Sequence, residues 1–272
     1  MLFSSINKTT IRSATTPQQY QEALNYCVKI VLERDYENYL AALLMPKPVQ
    51  AKIFTILALN AEISTLRHKI KRNSGVSNIN QMGFWNDALN SLARRDALIP
   101  RQPVILALQA FNNFPVLSTN DFNLYLNLVK ARQATLGDRP FENLKALEDH
   151  CKMLFATTLL LRDDGVVLLP RDVTDLHGFN LDSAARTGPT AMKDVAKDLC
   201  KVASKHLESA RSLTSAIHPS LRPGLLAAGF RSDWLLKILN KSNFNLLDAR
   251  LHRRQIPFAA LILWWRNRRR IF

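Results

Sequence analysis

The chain has 272 residues, 47% of them hydrophobic, and a formal net charge of +15. That length allows one large domain or two small ones, and that apolar share excludes wholesale disorder. Cys27, Cys151 and Cys200 are odd in number and far apart, which excludes a disulfide framework and a zinc site, whose ligands come in close pairs; they read as buried thiols.

The first residues, from Met1 to Ala14, are rich in Ser and Thr, contain Lys8 and Arg12, and precede the first acidic residue, Glu22. That is the composition of a mitochondrial transit peptide, so residues 1–16 are set aside from the fold and 17–272 are read as one all-α domain. After Pro17, the residues Tyr20, Leu24, Cys27 and Val31 make an amphipathic helix, broken near Arg34-Asp35-Tyr36-Glu37. Pro46 and Pro48 introduce a helix on which Ile53, Leu57, Asn60 and Ser64 share one face, read as the inner side. Ser64 and His68 are four apart and project together. Residues 73–78 read as a loop from their Gly, Ser and Asn content. Further helices are expected from Phe84 to Leu92, from Pro100–Pro103, from Asp121 to Arg132, and from Phe141 to Leu161, the last with Leu144, Leu147, Cys151, Leu154, Thr158 and Leu161 at steps of three and four.

Asp163-Asp164-Gly165 closes that helix, and Val166 to Pro170 reads as extended. Asp163 and Asp164 are adjacent, about 100° apart on a helix, and do not converge on one metal. Thr187 to Thr190 reads as a loop. Met192 to Ile217 is the clearest helix, with a stripe of Met192, Val195, Leu199, Val202, His206, Ala210, Leu213 and Ile217. His206 on that stripe reads as a core histidine. Asp194 and Asp198, surrounded by lysines, read as a charge-paired face. His218-Pro219 ends the helix, because a residue before proline avoids helical angles. Residues 233–240 and 257–266 read as short helices. No run of apolar residues reaches the ~18 needed to span a bilayer, so no membrane-spanning helix is expected.

Residues 249–272 hold seven arginines and no acidic residue. Their last part, Trp264-Trp265-Arg266-Asn267-Arg268-Arg269-Arg270, suits an anionic membrane surface or a protein partner. It also suits stacking on nucleic acid, and a third reading is a terminal helix that buries an indole and exposes its charges. Glycine-rich phosphate loops, nucleophile elbows and H-E-x-x-H motifs are absent from the sequence.

Leu44-Met45-Pro46, the stretch Ala58-Leu59-Asn60-Ala61-Glu62, the block Leu169-Pro170-Arg171-Asp172 and the helix from Asp194 to Arg211 together resemble the squalene/phytoene synthase family. Those enzymes join two prenyl diphosphates in an all-α fold. Further matches come from Arg34 to Leu40, from Leu176-His177-Gly178, and from Asp233-Trp234-Leu235-Leu236, Phe244 and Trp264-Trp265-Arg266. These resemble a non-enzymatic mitochondrial branch of that family that acts in assembling respiratory complex I.

The resemblance implies an isoprenoid-synthase-like helical bundle. It places the first metal-binding aspartate pair on Ser64 and His68, a hydroxyl and an imidazole that make no hard anionic Mg²⁺ site. Glu62 and Asp163 are the carboxylates left near the two degenerate clusters. Leu161 to Gly165 runs almost directly into Pro170, so about one helix is missing before Pro170. The expectation is therefore a pseudoenzyme with no catalytic residue, metal or cofactor. It is expected to act on complex I assembly intermediates at the matrix side of the mitochondrial inner membrane, with no nucleic acid. The alternatives are an active prenyl-diphosphate transferase and a basic mitochondrial protein binding nucleic acid or membrane.

Overall fold

A computed structural model describes residues 16–66, 75–94, 99–112, 119–134, 140–154, 169–179, 184–224, 229–251, 253 and 255–269. The helices are α1 (Pro17–Arg34), α2 (Tyr36–Leu43), α3 (Lys47–Leu66), α4 (Gly75–Arg94), α5 (Pro103–Asn112), α6 (Thr119–Ala134), α7 (Leu144–Leu154), α8 (Arg171–Leu176), α9 (Ala184–Ser212), α10 (Phe230–Lys241) and α11 (Ala259–Arg269). A 3₁₀ turn, Leu213–Ala216, follows α9, and no strand occurs among the described residues. The all-α expectation holds. The chain divides into two compact units, one of residues up to Asp35 with Lys47–Leu136, the other of Tyr36–Pro46 with Gly137–Phe272.

In the first unit α3 is central and packs against α1, α4, α5 and α6. Thr16 starts α1 with a capping box: its hydroxyl accepts from the Gln19 N–H, and the Gln19 side chain accepts from the Thr16 N–H, so two otherwise orphaned donors are satisfied. Thr16, the last residue set aside as leader, therefore belongs to the cap of α1. Ala23, Cys27, Ile30 and Val31 are buried, a stripe at helical spacing. The chain then turns at Asp35, as the sequence suggested, and α2 begins at once.

On α3 the buried residues are Gln50, Phe54, Thr55, Ala58, Leu59, Ala61, Glu62 and Ile63. Ile53, Leu57, Asn60 and Ser64 are only half-buried. The inner face expected from their spacing is thus displaced, because α3 is enclosed by four neighbours and its apolar residues run most of the way round. Residues 75–78 were expected in a loop but form the first turn of α4. The first N–H groups of any helix lack an intrahelical partner, so Gly and Ser are tolerated there.

In the second unit α9 is the long spine. Val195 and Leu199 pack with Leu169, Val173 and Phe179, and Leu144 and Leu147 of α7 close over them. Ala196 and Cys200 pack with Leu236, Leu239 and Leu246. Thr187–Thr190 was expected as a loop but lies within α9. A proline at the sixth position of this 29-residue helix, Pro189, loses its N–H from the ladder and crowds the preceding turn, and the burial downstream offsets that cost. The core expectation for His206 fails as well. The apolar stripe is buried at Val195 and Leu199, whereas Leu213 is 60% exposed. His206 is exposed and pairs with Glu148 at 3.0 Å. Asp198 does follow the charge-paired reading, bonded to Lys201 at 2.7 Å and His177 at 2.8 Å. Those two hydrogen bonds hold its carboxyl below its ordinary value.

A third cluster joins α2 to the end of the chain: Ala41 packs with Phe230, Ile256, Ala259 and Leu263, and Tyr36, Leu40, Leu44, Trp234 and Ile262 surround them. Glu37 of α2 is buried within it. Its carboxylate accepts the Ile256 N–H at 3.0 Å and pairs with Arg231 at 3.2 Å, so the charge is neutralised where burial alone would make it costly. Gly224 lies against Met45, and a Cβ there would approach the Met45 sulfur to 2.5 Å. Met45 of the Leu-Met-Pro motif is thereby packed tightly inside this unit.

Candidate functional sites on the third and last helices

The helix that carries the synthase-like motif, α3, presents along its last three turns a polar set on two opposite faces, Thr55 and Glu62 on one and Asn60 and Ser64 on the other. Each side chain in it is engaged by a protein group. Asn60 accepts from Arg132 Nη2 at 3.2 Å, which ties α3 to α6. The Tyr26 hydroxyl donates to Glu62 Oε1, which ties α3 to α1. Ser64 donates its hydroxyl to the Ala61 carbonyl at 2.9 Å, within its own helix. Thr55 does the same toward Ala51 at 2.9 Å. Such back-bonding is how hydroxyl side chains are accommodated in helix interiors.

On the Glu62 side of α3 burial dominates the electrostatics. Burial pushes the Tyr26 phenol up, and its hydrogen bond to the Glu62 carboxylate pushes it further. Burial likewise pushes the Cys27 thiol up to about 12, against a smaller downward pull from Thr55. Cys27 and Cys200 are both buried free thiols. Among the described residues, no group of three His, Cys, Asp or Glu side chains is placed to hold a metal ion. Of the four degenerate positions, Glu62 and Ser64 are about half a helical turn apart, while His68 and Asp163 lie outside the described residues.

The second synthase-like block has a structural explanation. Asp172 accepts the Leu144 N–H at 2.9 Å through one oxygen and the Val173 N–H at 2.8 Å through the other. Arg171 N–H donates to the Phe141 carbonyl at 2.9 Å. The Leu-Pro-Arg-Asp block thus caps α7 and starts α8 in one contact, with Leu169 and Val173 in the core. Residues 155–168, where a missing helix was expected, lie outside the described residues.

On α11 the arginines divide into two groups. Arg266 turns inward: it reaches Asp233 at 3.1 Å and lies over the Phe230 ring at 5.3 Å. Asp233 also binds Arg211 at 3.1 Å and Lys237 at 2.9 Å. Burial pushes the Asp233 carboxyl up, but the three hydrogen-bonding cations together outweigh it and hold the group at about 2. Arg268 and Arg269 face outward, lying over Trp264 at 5.9 Å and over Trp265 at 5.0 Å. Both indoles are exposed; Arg270 lies outside the described residues. Of the six residues read from sequence as one contact surface, Arg266 is therefore structural. The sequence signal for Asp233, which the sequence reading did not use, is its isolation: after Glu208 it and Asp248 are the only acidic residues.

Comparison with known proteins agrees with this architecture. The chain is 24% identical over 285 residues to NADH dehydrogenase (ubiquinone) complex I, assembly factor 6, of Bos taurus, spanning 89% of this chain and 82% of that protein. The Homo sapiens protein gives the same identity and coverage. The Drosophila melanogaster homolog is 26% identical over 88% of this chain and 82% of its own. Among solved structures, a dehydrosqualene synthase superposes with a TM-score of 0.73 at 18% identity, over 93% of this chain and 98% of that one. Squalene synthase HpnC from Alicyclobacillus acidocaldarius gives 0.64 at 14% identity, over 85% and 98%. The squalene/phytoene synthase family model matches residues 31–162 and 159–257, two pieces that meet just before Pro170. The chain belongs to the squalene/phytoene synthase family.

Proposed function

We propose that this chain is a non-catalytic family member that acts in assembly of mitochondrial respiratory complex I, at the matrix side of the inner membrane. The observation that carries the non-catalytic half is the state of α3. Ionising an allylic diphosphate requires Mg²⁺ held by carboxylates free to bind it. Here Glu62 is buried against Tyr26, Asn60 holds Arg132, and Ser64 is bonded to its own helix. Glu62 and Asn60, on opposite sides of α3, serve instead to fix α1 and α6 to it. The assembly half is supported by the relatives named as complex I assembly factor 6, which match along most of the chain. Location in the mitochondrion is supported by the same relatives and by the basic, acid-free residues before Glu22, read as a transit peptide of residues 1–16.

We also propose that about one family helix, and with it the second aspartate cluster, is missing before Pro170; the reading is supported by the sequence, in which Leu161 to Gly165 runs almost directly into Pro170. Two measurements test the proposal. Cells lacking the protein are expected to lose assembled complex I on native gels. The purified chain, given a prenyl diphosphate and Mg²⁺, is expected to release no diphosphate above background. Normal complex I in the first case, or Mg²⁺-dependent release in the second, overturns the corresponding half.

A further inference from the structure

We propose that the outward face of α11 is a seat for an anionic phospholipid surface, made by Phe258, Leu261, Trp264, Trp265, Arg268 and Arg269. The helix has two apolar sides. One holds Ala259 and Leu263 in the core. The opposite side leaves Phe258 78%, Leu261 62%, Trp264 56% and Trp265 44% exposed. A terminal helix that only closes a core has no need of four large apolar residues on its solvent side, and such clustering marks an interaction surface. Phe258 adds a second sign. It adopts a left-handed backbone with φ of 57°, unusual for a bulky residue, and holds its ring out in solvent at the start of the helix.

The chemistry selects the partner. Along about 15 Å of helix the face grades from Phe258 and Leu261, through the two indoles, to Arg268 and Arg269. A helix lying in the interface plane presents such a face to the boundary between headgroups and acyl chains, with Phe258 and Leu261 toward the chains, the indoles at headgroup level and the guanidinium groups reaching phosphate. Each guanidinium lies over the indole four residues before it, a cation–π arrangement that keeps the charge beside its ring at the interface. No acidic residue occurs from 249 to 272, so nothing in this stretch repels lipid phosphate. The amphipathic pattern is that of a helix lying in the interface plane. No helix among the described residues is long and apolar enough to cross a membrane, so this contact is peripheral. The inference rests on the proposed function only for which membrane is met.

Flotation of the full chain with vesicles tests it. Vesicles of phosphatidylcholine mixed equally with phosphatidylglycerol are expected to carry the protein, and vesicles of phosphatidylcholine alone are not. W264A/W265A is expected to weaken binding by more than about tenfold. R268A/R269A is expected to weaken it by roughly 30-fold, about fivefold for each arginine. All four side chains are on the outward face and largely exposed, so Tm is expected to fall only slightly. With the native chain, brominated lipid is expected to quench tryptophan emission. No binding to the mixed vesicles, or variants that bind as the native chain does, overturns the proposal. Binding to single-stranded RNA in place of vesicles, lost in the same variants, overturns it in favour of a nucleic-acid surface. Loss of vesicle binding as a result would leave the complex I phenotype of deletion cells untouched, so the two readings fail separately.

Discussion

Replacing Asp233 with Asn removes the charge that three cations share while keeping the side-chain shape. Asp233 lies in the first turn of α10, where an acid is also favoured by the helix dipole. Its side chain is 9% exposed, and the carboxyl is held at about 2 against an ordinary 3.8. At 1.36 kcal/mol per pKa unit this linkage is worth roughly 2 kcal/mol at neutral pH. Losing the charge also leaves Arg211, Lys237 and Arg266 facing one another. Their side chains are 36%, 60% and 23% exposed, so solvent screens much of that repulsion. The expected loss is about 2–3 kcal/mol, at the lower end of what breaking a buried pair costs.

The pH dependence gives the sharper test. The folded pKa is depressed, so the stabilisation is fully present above the unfolded value and is lost as pH falls toward the folded one. The gap between native and D233N chains is therefore flat above about pH 5, roughly halved near pH 3 and nearly gone at pH 2. Urea unfolding followed by circular dichroism across that range measures it. A gap under about 0.5 kcal/mol at pH 7, or one that does not shrink in acid, refutes the reasoning.

Glu37→Gln is expected to cost about 2 kcal/mol and to loosen the end of the chain, since it removes the charge that pairs with Arg231 and weakens acceptance from Ile256; hydrogen exchange at Ile256 checks it. Asp172→Ala removes the acceptor of the first N–H of α7, at Leu144, and of the Val173 N–H in α8, while the Asn143 cap on Ala146 remains; it is expected to cost about 1 kcal/mol, read as a lower urea midpoint with faster exchange at Leu144 and Val173. Cys27 and Cys200 have their thiols pushed up by burial to about 12 and about 11. Both should therefore resist alkylation at pH 8 until urea unfolds the chain, as peptide mapping by mass spectrometry reports. Ser64→Ala is expected to shift stability by less than about 0.5 kcal/mol in urea unfolding, because the hydroxyl bonds only its own helix.

Much of the architecture was legible in the sequence because periodicity and punctuation coincide. The stripe of α1 stands between Pro17 and Asp35, and the α9 stripe is carried by Val195 and Leu199 in the core. The errors have local causes. Residues 75–78 and 187–190 hold turn-forming types, but a helix accepts these in its opening turns when later residues are buried. His206 was misplaced because spacing identifies a face without saying how far along the helix a neighbour covers it. The polar residues of α3 were legible as composition: Ser64 was visibly no carboxylate. Their use was not, since the partners Tyr26 and Arg132 are 36 and 72 positions away from Glu62 and Asn60. The split among the C-terminal arginines was hidden for the same reason, because only the fold brings Asp233 to Arg266 and leaves Arg268 and Arg269 over the indoles.

The central claim, a synthase scaffold working in complex I assembly without catalysis, is tested most directly by rescue. Cells lacking the protein receive either the native chain or an E62Q/S64A variant, and assembled complex I is measured on native gels. Complex I is expected to be lost without the protein and restored equally by both chains. Normal complex I in the absence of the protein, or a folded E62Q/S64A variant that fails to restore it, would contradict the account.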